Sequence, residues 1–412
     1  MSDFRSQGAP LPTDPDLLMS HGQQILKQGD QEAAAAAFER LLRIRPDWAL
    51  AREFLVEALN QHSLALAGHE RLEEALRVSQ RALEADPNHI DALNIRGYVL
   101  MDLSRFSEAA TCYEKAVAAE PSIAELWCSL GTALSRDRRL SEAETAYGRA
   151  IALSPRFALA VINRAHALVS LGRYADAVSA FEEALRLKPG DPHLKAALLT
   201  NRAHVCDWRD RNLLLADTAA CFTRSDLTAQ GIVLDAFASQ ILYDDPGLQR
   251  SAAEIFAARL YGPPHAWTGD RRASRDRIRI GYFSPDFGDH PIAHLMAGLF
   301  ERHDRSRFEV CAFSLGPRSH NPWRTRIADG VEHFIDLADA SGSEIMTAAL
   351  QYELDIAVDL AGYTHGNHAE LFARRIAPVQ VGYLGYLGTL GAPFLDYLLA
   401  DETIVPPDHQ RF

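Results

Sequence analysis

Two patterns of hydrophobic and polar positions follow one another along the chain. From about residue 15 to residue 189, small and bulky apolar residues recur with a helical spacing, as in Gly97, Ala109 and Tyr113. From residue 277 onward, short apolar runs rich in β-branched and aromatic residues alternate with stretches of helical spacing. The first pattern predicts helices alone, and the second predicts strands that alternate with helices.

The helical part is periodic. Pro87, Pro121, Pro155 and Pro189 follow one another at intervals of 34 residues, and two small residues, an aromatic residue and an alanine stand at fixed offsets before each of the last three. An earlier unit that ends at Pro46 keeps this spacing. The unit between residues 46 and 87 is 41 residues long, and we expect its additional residues to form a loop around the sequence LALAGHERL.

This period resembles that of the tetratricopeptide repeat. Small residues let the two helices of a unit approach closely, and the proline ends the second helix because it cannot extend it. Five such units over residues 15–189 predict a continuous α-solenoid whose concave surface docks other proteins. An ordinary helical bundle would not need this period.

Residues 190–275 are predicted to be a helical connector that ends in a linker. The stretches HVCDWRDRNLL and ILYDDPGLQRSAAEIFAARLYG predict helices separated by an Asp-Asp-Pro turn. Residues 262–277 are rich in proline and glycine and then in charge. We therefore place a domain boundary near residue 275, with a further domain over residues 276–412.

The second half of the chain predicts a parallel sheet. Its strand-like runs are RIRIGYFSP, RFEVCAFSLGP, LDIAVDLAGYT, PVQVGYLGY and LDYLLADETIVP, with helical stretches at 291–302, 343–352 and 366–375. Near-continuous apolar strands indicate a sheet that is covered by helices on both faces. Ligands of such sheets bind at the carboxyl ends of the strands, and the loop from Asp286 to His290 lies at such an end.

Composition and charge limit the class of protein. Lys and Arg total 42 against 55 for Asp and Glu, a net charge of −13, which is unfavourable for binding nucleic acid. The five cysteines have no C-x-x-C spacing, so neither a disulfide framework nor a zinc site is predicted, and a reducing cytoplasm fits best. We find no leader segment and no apolar run of about 18 residues, and therefore expect no contact with a membrane.

Three ordered motifs carry a resemblance to a known family. They are IRIGYFSPDFGDHPIAHLM, VDLAGYTHGNHAELFARRIAPVQVGYLGYLGTLGAP and DYLLADETIVPP, with VCDWRDR and LYDDP upstream. Together they resemble the protein O-linked N-acetylglucosamine transferases, the SPINDLY-like glycosyltransferases with tetratricopeptide repeats. The resemblance implies a glycosyltransferase-B fold, of which residues 276–412 would be an incomplete, Rossmann-like N-terminal lobe.

The implied activity is inverting transfer of N-acetylglucosamine from UDP-GlcNAc to Ser or Thr of proteins that the repeats recruit, without a metal or other cofactor. The resemblance assigns Asp286 and His290 to the sugar-transfer site, where one would accept the proton of the attacking hydroxyl. Which of the two is the base stays open. The alternative is that Asp286 caps a turn and His290 caps the following helix. His290 and His294 have a spacing that can hold zinc, but Pro291 replaces the glutamate of the H-E-x-x-H pattern, so no metal site is predicted.

The resemblance also implies a set of donor-binding residues, namely Thr364, His368, Leu384, Gly385, Gly388 and Thr389. Gly385 and Gly388 permit close approach of the backbone, and Thr389 offers a hydroxyl. The alternative for the L-G-Y-x-G-T segment is a strand-to-helix turn that needs glycine.

The sequence departs from the family at several of these motifs. Relatives have proline at Leu387, arginine at His368, and asparagine and threonine at Asp289 and Ile292. The missing arginine removes a fixed positive charge that could hold a donor phosphate. Of the asparagines that line the groove of animal relatives, Asn163 at most is present.

The resemblance also implies that relatives continue into a second lobe that binds UDP. We therefore expect a chain that ends at Phe412 to be a fragment without transferase activity of its own. The competing hypothesis is a non-enzymatic scaffold in which the solenoid functions and the remaining lobe is inert. A third is a related enzyme that uses another sugar or acts on asparagine.

Overall fold

The computed structural model describes residues 14–220, 236–267, 276–386 and 388–407. By the contacts between residues, the chain divides into two compact units. The first is Met1–Leu194 with Asn201–Asp207, and the second is Lys195–Thr200 with Trp208–Phe412. The predicted domain boundaries near residues 189 and 275 stay predictions.

The first unit consists of helices of which each packs on the next. Their bounds are α1 (Pro15–Lys27), α2 (Gln31–Ile44), α3 (Ala49–Gly68), α4 (Leu72–Ala85), α5 (Ile90–Asp102), α6 (Phe106–Ala119), α7 (Ala124–Arg136), α8 (Leu140–Leu153), α9 (Ala158–Ser170) and α10 (Tyr174–Leu187). These are the paired helices that the 34-residue period predicted. A further helix, α11 (Pro192–His204), belongs partly to each unit.

The small residue of each repeat is needed where its two helices cross. A Cβ added to Gly97 would lie 2.6 Å from the ring of Tyr113, and one added to Gly131 would lie 2.6 Å from the ring of Tyr147. The aromatic ring thus fills the space that the missing side chain leaves. The two tyrosines are buried, so each repeat closes a part of one continuous apolar core.

The long unit between residues 46 and 87 is not extended by a loop, and that prediction is wrong. Helix α3 has 20 residues whereas α5 has 13, so the additional residues of this unit lie within the helix. The predicted loop residues 64–68 are helical, and the chain turns only near Glu70, at a φ of 59°. Leucine and alanine favour helix, which explains the extension. Ser63 replaces the small residue at the crossing, and its hydroxyl donates a hydrogen bond to the Ala75 carbonyl at 2.9 Å.

The second unit is an α/β lobe. Its helices are α12 (Arg211–Ala219), α13 (Ala236–Leu242), α14 (Pro246–Tyr261), α15 (Pro291–Arg302), α16 (Pro322–Asp329), α17 (Gly342–Gln351) and α18 (Ala369–Ala373). Its strands are β1 (Ile278–Ser284), β2 (Phe308–Ser314), β3 (His333–Asp336), β4 (Ile356–Asp359), β5 (Val379–Tyr383) and β6 (Tyr397–Leu399). The sheet has the order β3-β2-β1-β4-β5-β6, and every neighbouring pair is parallel. The predicted fold class, helical repeats followed by a Rossmann-like lobe, is confirmed.

Each face of the sheet carries its own apolar core. On one face, Phe283 and Phe313 stack with ring centroids 4.3 Å apart and pack against α17 and α18. On the other face, Tyr282 packs edge-on against Phe300 of α15. Helix α14 contributes Phe256 to the first of these cores, although the sequence placed that helix in a connector.

Most of the predicted elements of the lobe are present. The predicted helix at 291–302 coincides with α15, and the five predicted strands are all there. Strand β3 and helix α16 were missed, since both are short and flanked by polar residues. The stretch at 204–214 does not form the single helix that was predicted, because Cys206 and Asp210 adopt left-handed φ values of 55° and 53°.

Candidate functional site

The order of the strands identifies the edge at which a ligand would bind. The chain runs from β1 to β2 and β3 on one side and continues from β4 to β6 on the other. In open parallel sheets, ligands bind beside the carboxyl ends of the strands where this reversal occurs. The loops that follow β1 and β4 are therefore the candidate site.

Asp286 stands in the loop that follows β1. Ser284 ends the strand, is fully buried, and accepts a hydrogen bond from the backbone N–H of Asp286 with its hydroxyl at 3.0 Å. The carboxylate of Asp286 is 23% exposed. Burial raises the pKa of this carboxyl above its ordinary value, and the nearby imidazoles of His290 and His365 oppose the rise.

His290 has two neighbours on one ring nitrogen. It is the N-cap of α15, and its Nδ1 accepts a hydrogen bond from the backbone N–H of Ile292 at 3.3 Å. The same Nδ1 lies 3.7 Å from Oδ2 of Asp286. Neutral Nδ1 can accept from Ile292, whereas protonated Nδ1 can only donate, and Asp286 is then its partner. When His290 caps the helix, its neutral ring therefore carries the proton on Nε2.

The loop after β4 is folded on itself. Asp359, at the end of the strand, accepts backbone N–H groups of Ala361 at 2.9 Å and Gly362 at 3.1 Å. Burial raises the pKa of the Asp359 carboxyl, and these two hydrogen bonds oppose the rise. The hydroxyl of Thr364 donates to the Ala361 carbonyl at 2.8 Å. Thr364, one of the two predicted donor-binding threonines, thus already has a partner within its own loop.

The loops after β1 and β4 meet at Pro285. Gly366 has a φ of 75°, and a Cβ added to it would lie 3.3 Å from Cβ of Pro285. His368, further along the same loop, pairs with Glu370 at 2.8 Å. The imidazole of His365 therefore lies close enough to Asp286 to act on its carboxyl. His368 is instead paired with Glu370.

The loop after β5 starts with a strained turn. The backbone N–H of Gly385 donates to the carbonyl of Tyr383 at 2.8 Å, which places Leu384 at the centre of a three-residue turn with a φ of 65°. Turns of this kind with positive φ are rare and strained. A Cβ added to Gly385 would lie 1.7 Å from the carbonyl oxygen of Leu360, so this glycine allows the turn to pack on the end of β4.

Gly388 and Thr389 lie beside the helices that precede the sheet. They line a cavity of 1050 Å³ together with residues of α14 and of the 390–398 segment, and neither Asp286 nor His290 is among its lining residues. Leu384 lines a smaller cavity of 330 Å³ with residues of β6. The six predicted donor-binding residues are thus divided between the strand ends and the α14 side, and their role stays a prediction. Leu387 lies outside the described residues.

The remaining histidine of the motif is engaged at the surface. His294 Nε2 lies 3.0 Å from Oδ1 of Asp289, and its ring centroid is 4.3 Å from that of Trp323. Within residues 14–220, 236–267, 276–386 and 388–407, no three or more His, Cys, Asp or Glu side chains are grouped so that they could hold a metal ion. In those same ranges, no helix is long and apolar enough to cross a membrane.

Sequence reasoning missed His365 as a neighbour of Asp286. Its place directly before Gly366, in the loop after a predicted strand, was the available signal, since carboxyl ends of neighbouring parallel strands share one edge. Asp359 was missed as well, because the apolar run gave no indication that its carboxylate accepts the backbone N–H groups of the loop that follows.

Comparison with known proteins finds matches to both the repeats and the α/β lobe. Residues 256–411 match glycosyl transferase family 41, and residues 60–124, 96–143 and 128–192 match a tetratricopeptide repeat family. The predicted resemblance is confirmed in both parts. A probable UDP-N-acetylglucosamine–peptide N-acetylglucosaminyltransferase SEC from Arabidopsis thaliana is 35% identical over 213 residues, which are 49% of this chain and 22% of that protein.

A second curated relative matches a shorter part of the chain, and a solved structure overlays on most of it. The UDP-N-acetylglucosamine–peptide N-acetylglucosaminyltransferase of Caenorhabditis elegans is 40% identical over 131 residues, 32% of this chain and 11% of that protein. An O-GlcNAc transferase mutant from Thermobaculum terrenum overlays with a TM-score of 0.41 at 23% identity, covering 86% of this chain and 55% of that one. The matched region is at most 22% of the length of these two curated relatives.

Proposed function

We propose that this chain is the repeat solenoid and the acceptor-side lobe of a protein O-GlcNAc transferase. The reaction would transfer N-acetylglucosamine from UDP-GlcNAc to Ser or Thr hydroxyls of proteins with inversion at the anomeric carbon. The observation that carries the proposal is the contact between Asp286 and His290 at the carboxyl end of β1, inside the segment that matches glycosyl transferase family 41.

The geometry favours Asp286 as the proton acceptor. Inversion forms a bond from the hydroxyl oxygen to the anomeric carbon, breaks the bond from that carbon to UDP, and releases the hydroxyl proton. A base works best when its pKa is close to the working pH, and burial moves the pKa of Asp286 in that direction. Because Nδ1 of His290 accepts from Ile292, its free Nε2–H is a donor, suited to orienting an oxygen of either substrate.

The binding of the donor and of the acceptor is proposed from the family motifs and from the repeats. Thr364, His368, Leu384, Gly385, Gly388 and Thr389 are assigned to UDP-GlcNAc by the family motifs. The concave surface of the solenoid is assigned to protein acceptors, as in other helical repeat arrays. A cytoplasmic location is supported by the free thiols of the described cysteines Cys112, Cys128, Cys206 and Cys311.

The proposal is tested by measuring transfer of radiolabelled GlcNAc from UDP-GlcNAc to a protein acceptor. The full-length protein, meaning the proposed transferase of which this chain is a part, should label the acceptor. Asp286→Asn, which keeps the size of the side chain, should lower its turnover by about 10²–10⁴-fold. Labelling that persists unchanged in this variant would refute the assigned base. The scaffold hypothesis gains support if the full-length protein binds acceptors but labels none.

A further inference from the structure

Two helices that precede the sheet hold the loop that carries Thr389. A Cβ added to Gly388 would lie 1.3 Å from Nε2 of Gln240 in α13, and one added to Gly391 would lie 2.3 Å from the backbone nitrogen of Glu254 in α14. The amide of Gln240 ends a flexible side chain and can move. The backbone of a helix cannot, so Gly391 is the fixed contact.

Two hydrogen bonds link this contact to Thr389. The backbone N–H of Gly391 donates to Oγ1 of Thr389 at 3.2 Å. Between them, the Leu390 carbonyl accepts a hydrogen bond from the hydroxyl of Tyr363 at 2.8 Å. The loop is therefore held from two sides, by the backbone of α14 and by the loop that follows β4.

The backbone conformation of Gly391 is a second reason why this position requires glycine. Its φ of 56° is left-handed, a region that residues with a Cβ occupy at a cost. Any other residue would carry this conformational cost, and its Cβ would also clash with the backbone of α14. Lifting the loop off the helix would displace the N–H group that the Thr389 hydroxyl accepts from.

We infer that Gly391, seated on the backbone of α14 and supported by Tyr363, is a positioning residue that orients the Thr389 hydroxyl for the sugar donor. This inference rests on the proposed function. It assigns a role in the site to α14, whose residues Ala253 and Glu254 precede the segment that matches the glycosyltransferase family.

The test compares donor KM and kcat of the full-length enzyme with those of Gly391→Ala, using a short peptide acceptor. Donor KM should rise about tenfold, the worth of one net hydrogen bond, with kcat changed less. Gly172→Ala is the matched control, since Gly172 has a φ of 70° and no atom within 4 Å of an added Cβ. It should leave donor KM unchanged.

The role of Thr389 is tested by a double-mutant cycle. Thr389→Val should raise donor KM about as much as Gly391→Ala, and the double variant should raise it no further, because both remove the same interaction. Additive effects, or a Gly391→Ala variant with the parent KM, would overturn the inference while leaving the transferase activity in place.

Two other outcomes are also decisive. If Gly391→Ala does not fold, as judged by circular dichroism, Tyr363→Phe replaces it, because it removes the hydrogen bond to Leu390 without adding an atom near α14. Donor KM should then rise about threefold, and an unchanged KM would overturn the inference. A parent enzyme without turnover would instead refute the proposed function, and this inference with it.

Discussion

The two roles of His290, helix cap and hydrogen-bond donor to a substrate oxygen, can be separated by two substitutions. Asparagine is a good N-cap and alanine is a poor one, whereas both lack the imidazole. We expect His290→Asn and His290→Ala to lose turnover alike, by about 10²-fold or more, because both remove the Nε2–H donor. Only His290→Ala should also lose stability.

The size of the stability loss follows from the cap. Loss of an N-cap costs about 0.5–2 kcal/mol, and the 3.3 Å distance from Nδ1 to the N–H of Ile292 places His290 toward the low end. For units of this size about 2–4 °C of melting temperature correspond to 1 kcal/mol, so His290→Ala should melt about 1–2 °C lower. His290→Asn should melt within about 1 °C of the parent.

The assay pairs turnover at matched folded fraction with thermal unfolding followed by circular dichroism. Full turnover in His290→Asn would show that the imidazole has no part in the reaction and that His290 is only a cap. Equal melting temperatures of the alanine variant and the parent would show that the cap contributes nothing.

Three further results are expected. Asp359→Asn should raise the melting temperature at pH 8, because burial disfavours the carboxylate and raises its pKa. The gain should shrink toward acid pH, where the parent carboxyl becomes neutral, and a gain that stays constant as the pH is lowered would contradict this. Gly97→Ala should lower the free energy of unfolding by about 1–3 kcal/mol, because the added methyl group overlaps with Tyr113. Gly148→Ala, with open space around the added methyl group, should raise it by up to about 1 kcal/mol. Chemical denaturation that ranks the two variants the other way would be inconsistent with the close crossing. Residues 15–189 should melt cooperatively as a separate helical segment, since repeats contact mainly their neighbours, and a disordered circular dichroism spectrum would exclude this.

Local sequence signals were sufficient to predict the helix pairs of the solenoid and the loop between β1 and α15. The period of 34 residues fixed the helix pairs, and Ser284-Pro285 and Pro291 marked the end of β1 and the start of α15. Proline restricts the backbone so strongly that such boundaries can be read locally. The extension of α3 was misjudged because a lengthened unit was taken for a loop although its residues favour helix.

Contacts between distant parts of the chain could not be predicted in this way. Gly385 and Gly388 both suggested close approach of the backbone, but only the fold shows that their neighbours are the carbonyl of Leu360 and the side chain of Gln240. Likewise, the burial of Asp359 depends on strands that pair from several segments. Local pattern therefore located the candidate loops, and tertiary packing decided which of their residues lie together.

The most direct test of the account is whether the full-length protein transfers sugar and needs Asp286 to do so. The measurement is incorporation of radiolabelled GlcNAc into a protein acceptor between pH 5 and pH 9, for the parent and for Asp286→Asn. We predict turnover in the parent that declines toward acid pH, because burial raises the pKa of Asp286 and the protonated carboxyl cannot accept the hydroxyl proton. We also predict turnover lower by about 10²–10⁴-fold in the variant. Equal turnover of the parent and the variant across this pH range would contradict the account.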